Sequence, residues 1–269
     1  MRVHHLNCGT MRPPGIVGGL VCHVLLIETP QGLALVDAGF GLADAADPRG
    51  RLGSSRHLIR PVYDPGEAVI HQVRALGFDP HDVRHVVLTH FDADHAGGVA
   101  DLPWAQVHLT RAENEAALHP RGMIERSRYL PAVRAHQPRI VEHTLDSAER
   151  WRGFAGVSEL TAIAPGIMLI ALPGHTRGHA AVAVDAGDRW VLHVGDAFYD
   201  HRQLSGGSAP RALTLMERVI AADWATVQAN HARLSELWQA GEPDLMLVNA
   251  HDPWLLDRAR DLGVGEARD

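Results

Sequence analysis

Along the chain, short apolar runs with a strand-like period of two give way to segments with the spacing of helices. Residues 21–39, "VCHVLLIETPQGLALVDAG", hold two apolar runs rich in branched side chains and joined through Pro30, Gln31 and Gly32. This predicts a hairpin whose second strand ends at Asp37. A polar, Gly- and Pro-containing stretch over 40–63 follows, long for a connection in a compact domain and expected to border a site. Asp64, Pro65 and Glu67 then fit the cap, first and third positions of a helix. Its apolar positions Ala68, Val69, Val73 and Leu76 recur at helical spacing, and Gly77 ends it.

"HVVLTH", residues 85–90, reads as a short buried strand with His90 at its tip, and "FDADHAGG" continues into a turn. Thr110 and Glu113 predict a capped helix. Periodicity is then lost from 119 to 160, and about 111–160 is expected to be a lid or insertion. Residues 166–198 predict three strands, one ending at the Pro173–Gly174 turn and two joined across Ala186, Gly187 and Asp188. Residues 211–240 predict an amphipathic helix with Leu213, Met216, Val219 and Ile220 on one face, and "DLMLVNAH" over 244–251 a buried strand ending in histidine. Two β-rich halves, each with helices, imply two sheets face to face with helices outside, a four-layer αβ/βα sandwich in a single domain over 1–269.

With 269 residues and 46% hydrophobic content, the chain can bury one large core. Its start, "MRVHHLNCGTMRPPG", has no apolar stretch, and no run approaches the roughly 20 apolar residues that span a bilayer. A soluble, cytoplasmic protein is expected, monomeric or homodimeric, without membrane contact. Cys8 and Cys22 are too few for a disulfide scaffold and are expected as buried thiols. A net charge of −7 with no basic run argues against nucleic acid as a partner. Nineteen histidines make any single one uninformative, so spacing carries the chemistry.

His90, Asp92, Asp94, His95, His175, Asp196 and His251 all lie just past a predicted strand, in four separate loops. Imidazoles and carboxylates suit zinc, iron and manganese, and seven such groups exceed one four-coordinate zinc. Two divalent metal ions about 3.5–4 Å apart, sharing a carboxylate and a hydroxide, are the economical reading.

"LVDAG" at 35–39, the motif at 90–95, "PGHTRGH" at 173–179, "GDAF" at 195–198 and "NAH" at 249–251 together resemble the metallo-β-lactamase superfamily of metal-dependent hydrolases, in the same order over nearly the whole chain. The resemblance implies the metallo-β-lactamase fold, with His90, Asp92 and His175 on one metal and Asp94, His95 and His251 on the other. It implies that Asp196 bridges the two and that Asp37 orients a ligand by hydrogen bonding. The usual motif has histidine where Asp92 stands; members with a carboxylate there exist, including di-iron proteins with glutamate. Zinc is the first expectation and iron or manganese the alternatives, since a carboxylate is a harder donor.

The implied activity is hydrolysis by a hydroxide bridging the metals, which lower the pKa of water from about 15.7 toward 7. Asp94 is expected to accept and return the proton as well as to bind metal. Tyr199, three residues past Asp196, resembles a tyrosine of the lactonase branch that opens N-acyl-homoserine lactones, and makes a lactone or small ester the expected small-molecule substrate. A glyoxalase II-like thioester hydrolase, with arginines 121, 126, 128 and 134 holding the substrate carboxylate, stays open. A di-iron redox protein and a non-catalytic metal-binding protein stay open too. The remaining candidates have bland readings: His4 and His5 on an N-terminal strand, His179 supporting His175, His193 in the core, Trp151 and Phe154 anchoring the insertion.

Overall fold

The computed structural model describes residues 1–145 and 148–263, and all but two of its strands form two sheets. The first runs β1 (Arg2–Met11), β2 (Leu20–Thr29), β3 (Gly32–Val36), β4 (Val83–Val87), β5 (Gln106–Thr110) and β6 (Arg139–His143) in that spatial order. Its first three strands are antiparallel and the rest parallel. After a small hairpin of β7 (Arg150–Trp151) and β8 (Phe154–Ala155), the second sheet is built from β9 (Val157–Glu159), β10 (Ile167–Ala171), β11 (Ala180–Asp185), β12 (Trp190–His193) and β13 (Leu245–Val248). Neighbours there are antiparallel except the β12–β13 pair.

Strict alternation along the strands sorts the apolar side chains into three layers. Leu25, Ile27, Ala34 and Val36 face Leu169, Val182, Val184, Val191 and Val248 between the sheets. The opposite residues Val24, Leu26, Leu33 and Leu35 lie outside, against Val69 and Val73. On the far side, Ala181, Ala183, Leu192 and Leu247 meet Leu234 and Leu237. Helix, sheet, sheet and helix therefore make the four-layer αβ/βα sandwich that the pattern implies. The helices are α1 (Leu42–Ala46), α2 (Pro48–Leu52), α3 (Ser55–Ile59), α4 (Val69–Ala75), α5 (Ala93–Ala96), α6 (Arg111–Leu118), α7 (Gly122–Arg128), α8 (Arg211–Ile220), α9 (Trp224–Ala240) and α10 (Pro253–Gly263). Among the described residues no helix is long and apolar enough to cross a membrane.

Three elements differ from the sequence expectation. The helix expected from Asp64 breaks at Ala68: the Asp64 carboxylate caps a short 3-10 turn over Pro65–Glu67, and α4 starts afresh at Val69. The helix expected over 211–240 is two helices, because the intervening Ala222 and Asp223 N–H groups donate to His175 O and Gly174 O instead of continuing the spiral. Of the expected lid, β6 and β9 are edge strands of the two sheets. Edge strands with half-exposed faces carry little periodicity, which is why the pattern failed there.

The parallel strands β4, β5 and β6 line up His85, His108 and His143, whose rings are hydrogen-bonded in sequence at 3.0 Å and 3.0 Å. Burial, with His143 and His85 nearby, pushes His108 down to about 3. In the unfolded chain this imidazole regains a pKa of about 6.5, so the unfolded state binds more protons and stability falls as pH drops from about 6.5 toward the folded value. His108→Gln should melt below the parent at about pH 7, and that gap should narrow as pH falls to about 4 with chelator present. A constant gap would show that His108 titrates in the fold as it does in water.

Candidate metal centre

Four loops that leave the ends of β4, β10, β12 and β13 meet at one end of the sandwich and deliver the seven side chains singled out in the sequence. The glycines of "HAGG" serve close approach. A Cβ on Gly97 would collide with the Asp44 carboxylate, and one on Gly98 with Ala38 O. Without them, Gly98 N donates to Gly39 O at 2.9 Å and Ala38 N to His95 O at 2.8 Å, clamping the motif onto the turn after β3.

The donor atoms fall into two groups that share Asp196. Asp92 Oδ2 lies 3.4 Å from His90 Nε2 and 3.2 Å from His175 Nε2, and Asp196 Oδ2 lies 4.0 Å and 3.6 Å from the same two nitrogens. Asp94 Oδ2 lies 3.6 Å from His251 Nε2 and 4.0 Å from His95 Nε2. Those two nitrogens stand 3.0 Å and 3.1 Å from Asp196 Oδ1. Asp196 Oδ2 also lies 3.2 Å from His251 Nε2, so this one carboxylate reaches both groups and sits nearer the second.

Each ring has its other nitrogen facing a partner, His175 Nδ1 lying 3.4 Å from Tyr199 Oη. His95 Nδ1 donates to Asp37 Oδ2 at 2.8 Å, His251 Nδ1 to Val21 O at 2.7 Å, and His90 Nδ1 lies 3.0 Å from Thr89 Oγ1. The Thr89 hydroxyl in turn donates to Asp37, which also accepts Thr89 N. Asp37 holds a left-handed backbone (φ 60°) to do this. The Nε2 atoms of His90 and His95 and Asp196 Oδ1 are buried and without a hydrogen-bond partner. Buried polar atoms are rarely left so unless something else meets them.

Charge makes the same demand. Burial alone would raise Asp196, yet His251, His95 and His175 hold its carboxyl well below the usual range. Burial would likewise raise Asp92, and Arg128 and His90 hold it well below. His95 moves the other way: burial would lower it, but Asp196, Asp37 and Asp94 raise it well above normal. Carboxylates set among imidazoles whose Nε2 atoms face inward are a donor set that suits divalent cations.

Several supports were not readable in the sequence. Glu113, read there only as a helix-capping position, is fully buried. Its carboxylate accepts Phe91 N at 2.9 Å, Tyr129 Oη at 2.9 Å, Thr176 Oγ1 at 2.6 Å and Gly178 N at 3.2 Å. It therefore ties the loop between His90 and Asp92 to the loop of His175. His179 does not touch His175 through a hydrogen bond; its Nδ1 donates to Leu172 O and its Nε2 accepts Asp196 N at 3.0 Å, which fixes the shared aspartate. His193 is the expected core histidine, donating to His23 O. Trp151 and Phe154 pack in the outer layer of the second sheet, away from the donors. His4 is half-buried against Glu28, and His5 is buried against His23. Cys8 and Cys22 are buried free thiols, and Cys22 lies close to Asp94 and His251.

Above the donors opens a cavity of about 270 Å³. Leu52, Leu58, Ile59, Ile124, Met216 and Ile220 give it apolar walls, and Asp92, Asp94, Asp196, Tyr199 and His251 line it too. The 40–63 stretch does border the site, through α2 and α3, and α7 is the part of the expected lid that covers it. Tyr199 is buried, its ring stacked on His251 and its hydroxyl donating to Asp196 Oδ2 at 2.7 Å.

The sequence pattern of the metallo-beta-lactamase superfamily matches residues 17–230. A probable metallo-hydrolase of Mycobacterium tuberculosis is 50% identical over 262 residues, covering 97% of this chain and 83% of that protein. The N-acyl homoserine lactonase AttM of Agrobacterium fabrum is 39% identical over 95 residues, 35% of this chain and 36% of that one. Among solved structures, an N-acyl homoserine lactone hydrolase with N-hexanoyl-L-homoserine at its catalytic metal centre superposes with a TM-score of 0.68 at 22% identity, over 96% of this chain and 95% of that one.

The Glu113 cluster offers four donors to one carboxylate, so an amide there turns donors against donors. Glu113→Gln should cost about 1–3 kcal/mol in denaturant unfolding. A loss below about 0.5 kcal/mol would mean that the two loops hold their places without it.

Proposed function

Because this chain belongs to the metallo-beta-lactamase superfamily and is by that kinship a metallo-hydrolase, we propose that it opens a lactone or small ester at a two-ion centre in the cytoplasm. The observation that carries the reading is Asp196, one carboxylate divided between two donor groups at the floor of an apolar, small-molecule cavity. Zinc is the first choice of ion, with iron or manganese favoured more than an all-imidazole group would allow, because Asp92 is a hard donor. When bound, such ions supply a water acidic enough to attack near neutral pH and a Lewis acid for the carbonyl.

The chain's own groups then divide the work. His90, Asp92 and His175 hold one position, Asp94, His95 and His251 the other, and Asp37 keeps the His95 ring aimed. Asp94, which faces both its group and the cavity, takes the proton of the attacking water and returns it to the leaving oxygen. Tyr199 is the phenol nearest the shared carboxylate and is assigned to the oxyanion that develops on the substrate. The apolar walls exclude water and take the acyl part. Likeness to lactonases over a third of the chain supports a lactone over a thioester. So does the engagement of Arg128, the one arginine of the four expected to hold a thioester's carboxylate that lines the cavity, with the site itself.

Elemental analysis should find two equivalents of metal, and chelator treatment should abolish turnover of a γ-lactone or homoserine lactone until metal is returned. Lactone turnover that survives metal removal would reject the two-ion hydrolase; full metallation without lactone turnover would reject only the substrate.

Tyr199→Phe keeps the ring on His251 but removes the donor, so metal content should be unchanged while kcat on the lactone falls by roughly 10-fold or more and KM moves little. An unaltered kcat would return Tyr199 to a packing role.

A further inference from the structure

The two-ion reading leaves one group unexplained, the guanidinium at the end of α7. Arg128 has a side chain only 8% exposed, with Nε 3.4 Å from Asp92 Oδ1. Its terminal nitrogens donate to His175 O at 3.0 Å and Ile220 O at 2.6 Å. Both terminal nitrogens are bonded to backbone carbonyls and Nε faces a carboxylate, so the buried guanidinium is held by the protein itself. It faces the oxygen of Asp92 turned away from His90 and His175, whereas Oδ2 points between those rings.

We propose that Arg128 is a positioning residue matched to Asp92, which cancels the extra negative charge that a carboxylate brings to the first ion position and aims its free oxygen. A buried charge is tolerated only with a partner. Here the partner is itself fixed in plane by two backbone carbonyls, one of them belonging to the ligand His175. Asp92 and Asp196 together give the first position two carboxylates against two imidazoles. With Arg128 the group carries the net charge of one carboxylate and three neutral donors. The inference rests on the two-ion reading, and it makes the guanidinium conditional on the carboxylate: the positive charge is tolerated beside the first ion position only because Asp92 stands there.

Zinc content by elemental analysis and zinc affinity by competition with a chromophoric chelator test it on the parent, Asp92→His, Arg128→Gln and the double variant. Asp92→His leaves a buried guanidinium unpaired beside two dications and should weaken zinc binding by about tenfold or more. Arg128→Gln removes a positive charge and should bind zinc at least as tightly as the parent. The double variant, with a neutral donor and no stranded charge, should return to within about threefold of the parent. Failure of Asp92→His alone to fold, with the double variant folded and loaded, is the same rescue. If Arg128 only ties carbonyls together, Arg128→Gln will bind zinc more weakly and the losses will add. A double variant that does not fold, or that holds no more zinc than Asp92→His, overturns the pairing while leaving a metallated parent intact. A parent that binds no zinc, manganese or iron overturns the two-ion reading and the pairing with it.

Discussion

Negative charge buried at the junction of two sheets is the constraint from which the rest of the site follows. Asp37, Asp92 and Asp196 are carboxylates in a region where an unpaired charge costs several kcal/mol. None is neutralised by a surface lysine, since the chain has none. The molecule answers with imidazoles whose outer nitrogens are tied to Asp37, Val21 O and Thr89, so the inner ones face the carboxylates of Asp92 and Asp196. Rigid aim and unsatisfied charge are the same design seen from two sides.

The sandwich supplies what such a cluster needs and a single sheet could not. Loops from β4 belong to the first sheet and those from β10, β12 and β13 to the second, so the cluster forms only where the apolar layer of Leu25, Val36, Val182 and Val191 brings the two together. Burial between the sheets thus sets the geometry at their end. The glycines at 97 and 98 and the positive φ of Asp37 concentrate local strain and close approach where the loops converge.

What could be read from the sequence follows from this division. The convergence of the seven side chains was legible because each sits three to eight residues past the end of a strand, a relation local in sequence; so was the alternation that makes three apolar layers. Glu113 and Arg128 were not. Glu113 looks like an ordinary capping residue, and indeed its N–H is bonded by Thr110, but its carboxylate acts on residues 16 to 65 positions away. Arg128 was one of several arginines in a stretch without periodicity, and nothing local distinguishes it from Arg121 or Arg126. The edge strands β6 and β9 were lost for a related reason: their identity lies in the neighbour they pair with, which spacing does not record.

Placing support on distant elements has a consequence for how the site and cavity depend on each other. The same α7 whose last residue meets Asp92 also contributes Ile124 and Ser127 to the cavity wall, and its neighbour Tyr129 is bonded to Glu113. The α8 end that contributes Ile220 to the wall gives its carbonyl to Arg128. A substitution in the wall that shifts α7 therefore moves the guanidinium, and with it the carboxylate beside the first ion position. Wall and donor group are thus coupled through α7 and the end of α8, which carry Ile124 and Ile220 on the cavity side and hold Arg128 on the other.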